Sequence, residues 1–225
     1  IEKYPKLILD KSPNQIDNLY FDLNSLIHPV SARYYKQPPF PDDNLVFMSI
    51  IDEILKLIKY TNPSKGVFIA IDGVAPMAKI YQQRQRRFKS MLYNKMINKK
   101  WDSNQISPGT DWMNRLDAYL QQHLVKSLPS HLEIIYSSAN VVGEGEHKIF
   151  QYMRENVDVN SYNVIHGLDA DLILLSFLNP FNVLLLRETM NFGQKLDRTQ
   201  EYHYLDVINL KKYFIGEMKG NHFSE

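Results

Sequence analysis

Six carboxylates stand where apolar runs of the sequence stop. The run at 19–21 ends at Asp22 and the run at 67–71 ends at Asp72. Glu144 and Glu146 follow the run at 132–136, within Val141-Val142-Gly143-Glu144-Gly145-Glu146-His147-Lys148. Asp169 and Asp171 follow the run at 162–165, within Gly167-Leu168-Asp169-Ala170-Asp171. Any one of these acids is explained as a helix cap, because the free N–H groups of a first helical turn attract carboxylates. Acids at four strand ends in turn are a different pattern. Carboxylates that converge cannot all stay ionised without a cation among them. Hard oxygen donors with no His or Cys set select Mg²⁺ or Mn²⁺ over zinc. Six acids exceed what one Mg²⁺ takes, so two ions are expected, an arrangement suited to in-line attack of water on a phosphodiester. Gly143 and Gly145 are expected to give the turn around Glu144 backbone angles that other residues avoid.

A second constellation is basic. The segment 79–100 holds eight Lys and Arg and no acid, whereas the rest of the chain holds 18 basic and 25 acidic residues. A positive block on a mildly acidic body points to a local polyanion site rather than to global attraction. Lys79, Gln83, Arg86 and Arg87 lie at i, i+4, i+7 and i+8, one face of a helix spread over roughly 100°. Ile80, Phe88 and Met91 fall on an adjacent apolar face. A Lys, two Arg and an amide on one face suit a terminal phosphate, Arg supplying forked donors. The plainer reading is a solvated helix face. His28, six residues after Asp22, and His147, beside Glu146, read more simply as structural residues.

These groups meet only if the strands before them run the same way. Helical periodicity is expected over 45–60, 75–100 (with Pro76 in its first turn), 111–126, 146–155 and 170–178. The last clear strand is expected at 183–186. Strands alternating with helices predict an α/β fold, a mostly parallel central sheet with helices on both faces. Such sheets place their sites outside the carboxyl ends of the strands.

Composition excludes several alternatives. The 225 residues are 44% hydrophobic and 23% charged, with a formal charge of +1, which fits one globular domain over 1–225. With no cysteine, neither disulfides nor thiolate chemistry is available. No stretch approaches the roughly 20 apolar residues of a membrane helix, so no membrane partner is expected. The opening Ile1-Glu2-Lys3-Tyr4 is neither a signal peptide nor an initiator methionine, and a trimmed N-terminus is expected. The expected location is cytoplasmic or nuclear.

The ordered motifs resemble those of the XRN-type 5′→3′ exoribonucleases. They are Asn18-Leu19-Tyr20-Phe21-Asp22-Leu23-Asn24-Ser25-Leu26-Ile27-His28, then Ile71-Asp72-Gly73-Val74-Ala75-Pro76 with Lys79, and then Gln82-Gln83-Arg84 with Arg86-Arg87-Phe88. Ile106-Ser107-Pro108-Gly109-Thr110, the Gly143 to Lys148 and Gly167 to Leu172 segments and Leu186-Arg187-Glu188 continue the match. The resemblance implies a PIN-like nuclease core, related to flap endonucleases, with two Mg²⁺ or Mn²⁺ ions. It implies processive hydrolysis of single-stranded RNA bearing a 5′-monophosphate to nucleoside 5′-monophosphates. By the same match Asp22, Asp72, Glu144, Glu146, Asp169 and Asp171 are the metal-binding acids. Lys79, Gln83, Arg86 and Arg87 form the 5′-phosphate pocket, and His28 stacks on the first base. Met77 departs from the pattern, standing where the family has a basic residue. Gly220-Asn221-His222 lacks the acid of a further family motif, and the region that closes over the site is absent, so a fragment is expected. The alternatives are a structure-specific 5′ flap nuclease on DNA and an inactive module that binds RNA 5′ ends.

Overall fold

The computed structural model of the chain describes residues 5–167, 169–188 and 201–219. Ile1 to Tyr4, Leu168 of the fourth acidic motif and Gly220-Asn221-His222 lie outside the described residues. Among the described residues the strands are β1 (Ile8–Leu9), β2 (Asn18–Asp22), β3 (Gly66–Ala70), β4 (Glu133–Ser137), β5 (Tyr162–His166), β6 (Asn182–Glu188) and β7 (Tyr202–Asp206). The helices are α1 (Asn24–Tyr34), α2 (Asp43–Thr61), α3 (Met77–Met96), α4 (Asp111–Ser127), α5 (Gly145–Asn156), α6 (Asp171–Leu178) and α7 (Val207–Met218). One sheet runs in the order β1-β7-β6-β5-β2-β3-β4.

The strands β2 to β6 are parallel to their neighbours, and β7 joins β6 and β1 antiparallel. Alternate side chains explain why both faces are covered. Leu19, Phe21, Val67 and Ile69 point into a core built with α1, α2 and α4. Tyr20, Phe68 and Ala70 point into a second core with Ile149, Phe150 and Met153 of α5, Leu172 of α6 and Leu210 of α7. The amphipathic pattern of α2 buries Val46, Phe47, Ile50, Ile51, Ile54, Leu57 and Ile58, and the Asp42 carboxylate caps it by accepting from the Asn44 amide at 2.8 Å.

Register sets the geometry of the site. Asp22 pairs with Ala70, and Phe21 with His166. Asp72 and Asp169 therefore emerge within a few residues of Asp22, at the same sheet edge. The chain builds β3 and β4 on one side of β2, then crosses to place β5 and β6 on the other. Asp22 thus ends the strand at which the order reverses, where parallel sheets open a crevice.

Several sequence expectations are corrected. The segment 183–186 is not the last strand, because β7 and α7 follow it. Tyr-His-Tyr-Leu-Asp hides β7 from any simple alternation, since all five residues are buried. Helix α1 was not anticipated, and Pro29 lies inside it. Helix α3 begins at Met77 rather than Ala75, with Pro76 as its extended N-cap (ψ 150°) rather than in its first turn. It ends at Met96, and Asn98 then takes a left-handed φ of 53° that stops any continuation. No helix among the described residues is long and apolar enough to cross a membrane.

Candidate metal and phosphate site

Asp22, Asp72 and Glu146 come together from three elements, each offering a carboxylate oxygen within 4.8 Å of the others. Asp22 closes β2 with 4% exposure, and its Oδ1 is buried without a hydrogen-bond partner. Burial pushes its carboxyl well above the ordinary range, and the charges of Asp72, Glu146 and Asp169 add to the rise. Burial likewise raises Asp72 and Glu146, with neighbouring carboxylates adding to each rise. An orphaned buried oxygen among acids that resist ionisation lacks a positive charge, and a hard divalent cation is the group that fits.

Asp72 lies beyond the end of β3 and is held from outside. The Gly145 amide donates to its Oδ1 at 2.7 Å, and the Asn24 side-chain amide donates to its Oδ2 at 2.8 Å. The Asn24 carbonyl oxygen in turn accepts from the Asp72 backbone N–H at 3.3 Å. The turn around Glu144 needs an unusual backbone angle at Gly143, whose φ is 110°, and not at Gly145. Gly145 answers to space instead. A Cβ there would fall 2.7 Å from Asp22 Oδ1 and 3.4 Å from Asp72 Oδ1.

Glu144 is the N-cap residue of α5 and is buried. It groups with Glu146 and the exposed His147, all three within 4.8 Å. The Lys79 ammonium donates to Glu144 Oε2 at 2.7 Å and lies 3.9 Å from Glu146. Burial works to lower Lys79, but the Glu144 hydrogen bond and the charges of Glu144, Glu146 and Asp171 carry it above the ordinary lysine value. The Gln83 amide reaches Glu144 at 3.5 Å, and Arg87 donates to Gln83 Oε1 at 3.4 Å. The predicted phosphate face is therefore contiguous with the acids rather than set apart from them.

Asp169 and Asp171 stand at the same edge but are exposed and fall outside both carboxylate groups. Asp169 is near enough for its charge to raise Asp22 and His28, and Asp171 to raise Lys79. Desolvation lowers the pKa of His28, and the Arg86 charge lowers it further. Arg87 is also lowered, by burial and then by the charge of Arg86. The Arg86 charge is thus felt at both His28 and Arg87.

Three residues with no anticipated role shape this site. One is Asn24. Another is Arg187, which donates to the Asp169 carbonyl at 3.0 Å while its Nε is buried without a partner. The third is Lys148, buried in α5, where desolvation lowers its pKa to about 8 against the pull of Asp72 and Asp117. Sequence offered one signal, since Lys148 stands one turn from Gly145 and next to the buried Ile149.

The pattern of the family described as "XRN 5'-3' exonuclease N-terminus" matches residues 1–189. The chain is similar to 5'-3' exoribonuclease 2 of Candida albicans, 36% identical over 224 residues that cover 77% of this chain and 23% of that protein. It is similar to 5'-3' exoribonuclease 2 of Saccharomyces cerevisiae, 31% identical, covering 97% of this chain and 28% of that protein. The chain thus spans about a quarter of the length of these relatives. Among solved structures, the catalytic core of Rad2 in complex with DNA substrate aligns with a TM-score of 0.49 at 14% identity, covering 88% of this chain and 51% of that one.

Proposed function

Because the chain belongs to the XRN 5′-3′ exonuclease family, we propose that it forms part of the nuclease domain of a 5′→3′ exoribonuclease. The substrate is single-stranded RNA with a 5′-monophosphate, degraded processively to nucleoside 5′-monophosphates in the cytoplasm or nucleus. One observation carries this reading: the unpartnered Asp22 oxygen lies among Asp72 and Glu146, beside a helix whose Lys79 already touches the acids.

Asp22, Asp72, Glu144 and Glu146, with Asp169 and Asp171 at the rim, would hold two Mg²⁺ ions, or Mn²⁺ in their place. Ions bound there supply an activated water and stabilise charge on the leaving oxygen. The chain's own residues provide the register. Arg86 and Arg87 repel each other and are relieved by an anion between them. Lys79 and Gln83 join them to grip the terminal phosphate, and His28 stacks on the first base. Held at both groups, the RNA presents its first phosphodiester to the carboxylates.

The test is kcat/KM of the full-length protein on matched RNAs differing only at the 5′ group. Charge-assisted hydrogen bonds are worth about 1.5–3 kcal/mol each, and every ~1.4 kcal/mol is a factor of ten. Monophosphate should exceed hydroxyl at least tenfold, and also exceed triphosphate and capped ends. Equal rates for monophosphate and hydroxyl overturn the phosphate pocket. Internal fragments from a branched DNA substrate favour the flap-nuclease alternative.

A further inference from the structure

Beyond the ends of β3 and β4 the two chains separate to admit the N-terminus of α5. The ladder goes on for one bond, Ile71 N–H to the Ser137 carbonyl at 3.0 Å. It resumes where Gly73 N–H donates to Gly143 at 2.8 Å and Gly143 N–H donates to Val74 at 3.0 Å. The loops touch here so closely that a Cβ on Gly73 would lie 1.8 Å from the Val141 carbonyl. Between these two seams the carbonyls of Ile71 and Ser138 both accept from one donor. The Lys148 ammonium reaches Ile71 at 2.7 Å and Ser138 at 2.9 Å. Its stem lies over Gly143, with Cγ 3.7 Å from where a Cβ would stand.

A buried ammonium is costly unless it is hydrogen-bonded, and both of these bonds go to neutral backbone oxygens. Ile71 is the residue before Asp72. We infer that Lys148 is a positioning residue, a bridge that fixes the backbone leading into Asp72 so that its carboxylate meets Asp22 and Glu146. The inference rests on the metal-binding role proposed above for those acids.

Two roles of Lys148 must be separated, since its charge also lies near Asp72. K148Q removes the charge but keeps two N–H donors, on a side chain one bond shorter. K148M removes both charge and donors at nearly the same volume. The ratio of their Mn²⁺ dissociation constants therefore reads the bridge alone, measured by calorimetric titration of the full-length protein without RNA. Asp72→Asn serves as the reference for loss of a ligand, and thermal unfolding in EDTA reports stability separately. The expected result is Mn²⁺ binding at least tenfold weaker in K148M than in K148Q. If K148M does not fold, K148N replaces it, having the same amide but too short to span both carbonyls. A ratio near one, with Asp72→Asn impaired, overturns the bridge while leaving the metal site standing. Unchanged Mn²⁺ affinity in Asp72→Asn overturns the metal assignment, and the inference with it.

Discussion

The Lys79 ammonium donates to Glu144 Oε2 at 2.7 Å, joining the first turn of the basic helix to the N-cap of α5 across 65 residues of sequence. Under the function proposed above, one cation would serve two anions, the buried carboxylate and an incoming phosphate. Lys79→Ala should lower the melting temperature in EDTA, because a buried carboxylate loses its partner. Saturating Mn²⁺ should recover much of that loss. A variant with an unchanged melting temperature in EDTA would show that the pair contributes nothing to the apo fold.

Asp22→Asn should raise the melting temperature of the metal-free protein. The folded-state pKa of Asp22 lies above its unfolded value. Its contribution to stability is therefore complete below the unfolded pKa and is lost as pH rises through the folded one. Above the unfolded pKa, keeping this carboxyl in the folded site costs stability that asparagine does not. The same variant should lose hydrolysis and most of the Mn²⁺-induced rise in melting temperature, both followed by differential scanning fluorimetry with a parallel RNA assay.

Gly145→Ala and Gly109→Ala separate crowding from backbone strain. At Gly145 a methyl group meets Asp22 and Asp72, so Mn²⁺ affinity should fall at least tenfold. At Gly109 the φ of 84° disfavours alanine, but nothing lies within 4 Å. That change should cost about 1 kcal/mol of stability and leave Mn²⁺ binding unaltered. Similar Mn²⁺ affinities in the two variants would contradict the close approach at Gly145.

His166 governs an acid-side stability loss. Buried beside Phe21 with ring centroids 5.8 Å apart and an unpartnered Nδ1, it has its pKa pushed down by burial to about 4. Between that value and an unfolded pKa near 6.5, the unfolded chain binds the extra proton, so stability falls as pH drops. The full effect is ~3 kcal/mol. His166→Phe should flatten the difference between pH 6.5 and pH 4.5 in EDTA, where the carboxylates contribute alike to both proteins. Parallel melting curves against pH would refute this origin.

Strand-end acids and helical periods carried the reading of β2, β3 and α2, because there the apolar pattern and the burial agree. The acids at Asp22, Asp72 and Glu146 were legible for the same reason, each being fixed by the strand before it or the helix after it. What was not legible depended on partners distant in sequence. Asn24 looks like a turn former before Pro29, yet its amide clamps Asp72 from a helix. Lys148 looks like any surface lysine until β3 and β4 leave two carbonyls behind it. Strand β7 pairs antiparallel with β6 at Leu184 to Glu188, a contact that no local period announces.

Helix α3 contributes no buried residue to either core. Its exposed side chains are therefore less coupled to core packing than those of α2 or α5. Alanine scanning of its exposed positions tests the RNA-binding role proposed above with little risk to the fold. Lys79 and Gln83, both reaching Glu144, and Arg87, bonded to Gln83, are the positions where that separability ends. The same exposure leaves the outward positions of the helix open to substitution without endangering the scaffold beneath it.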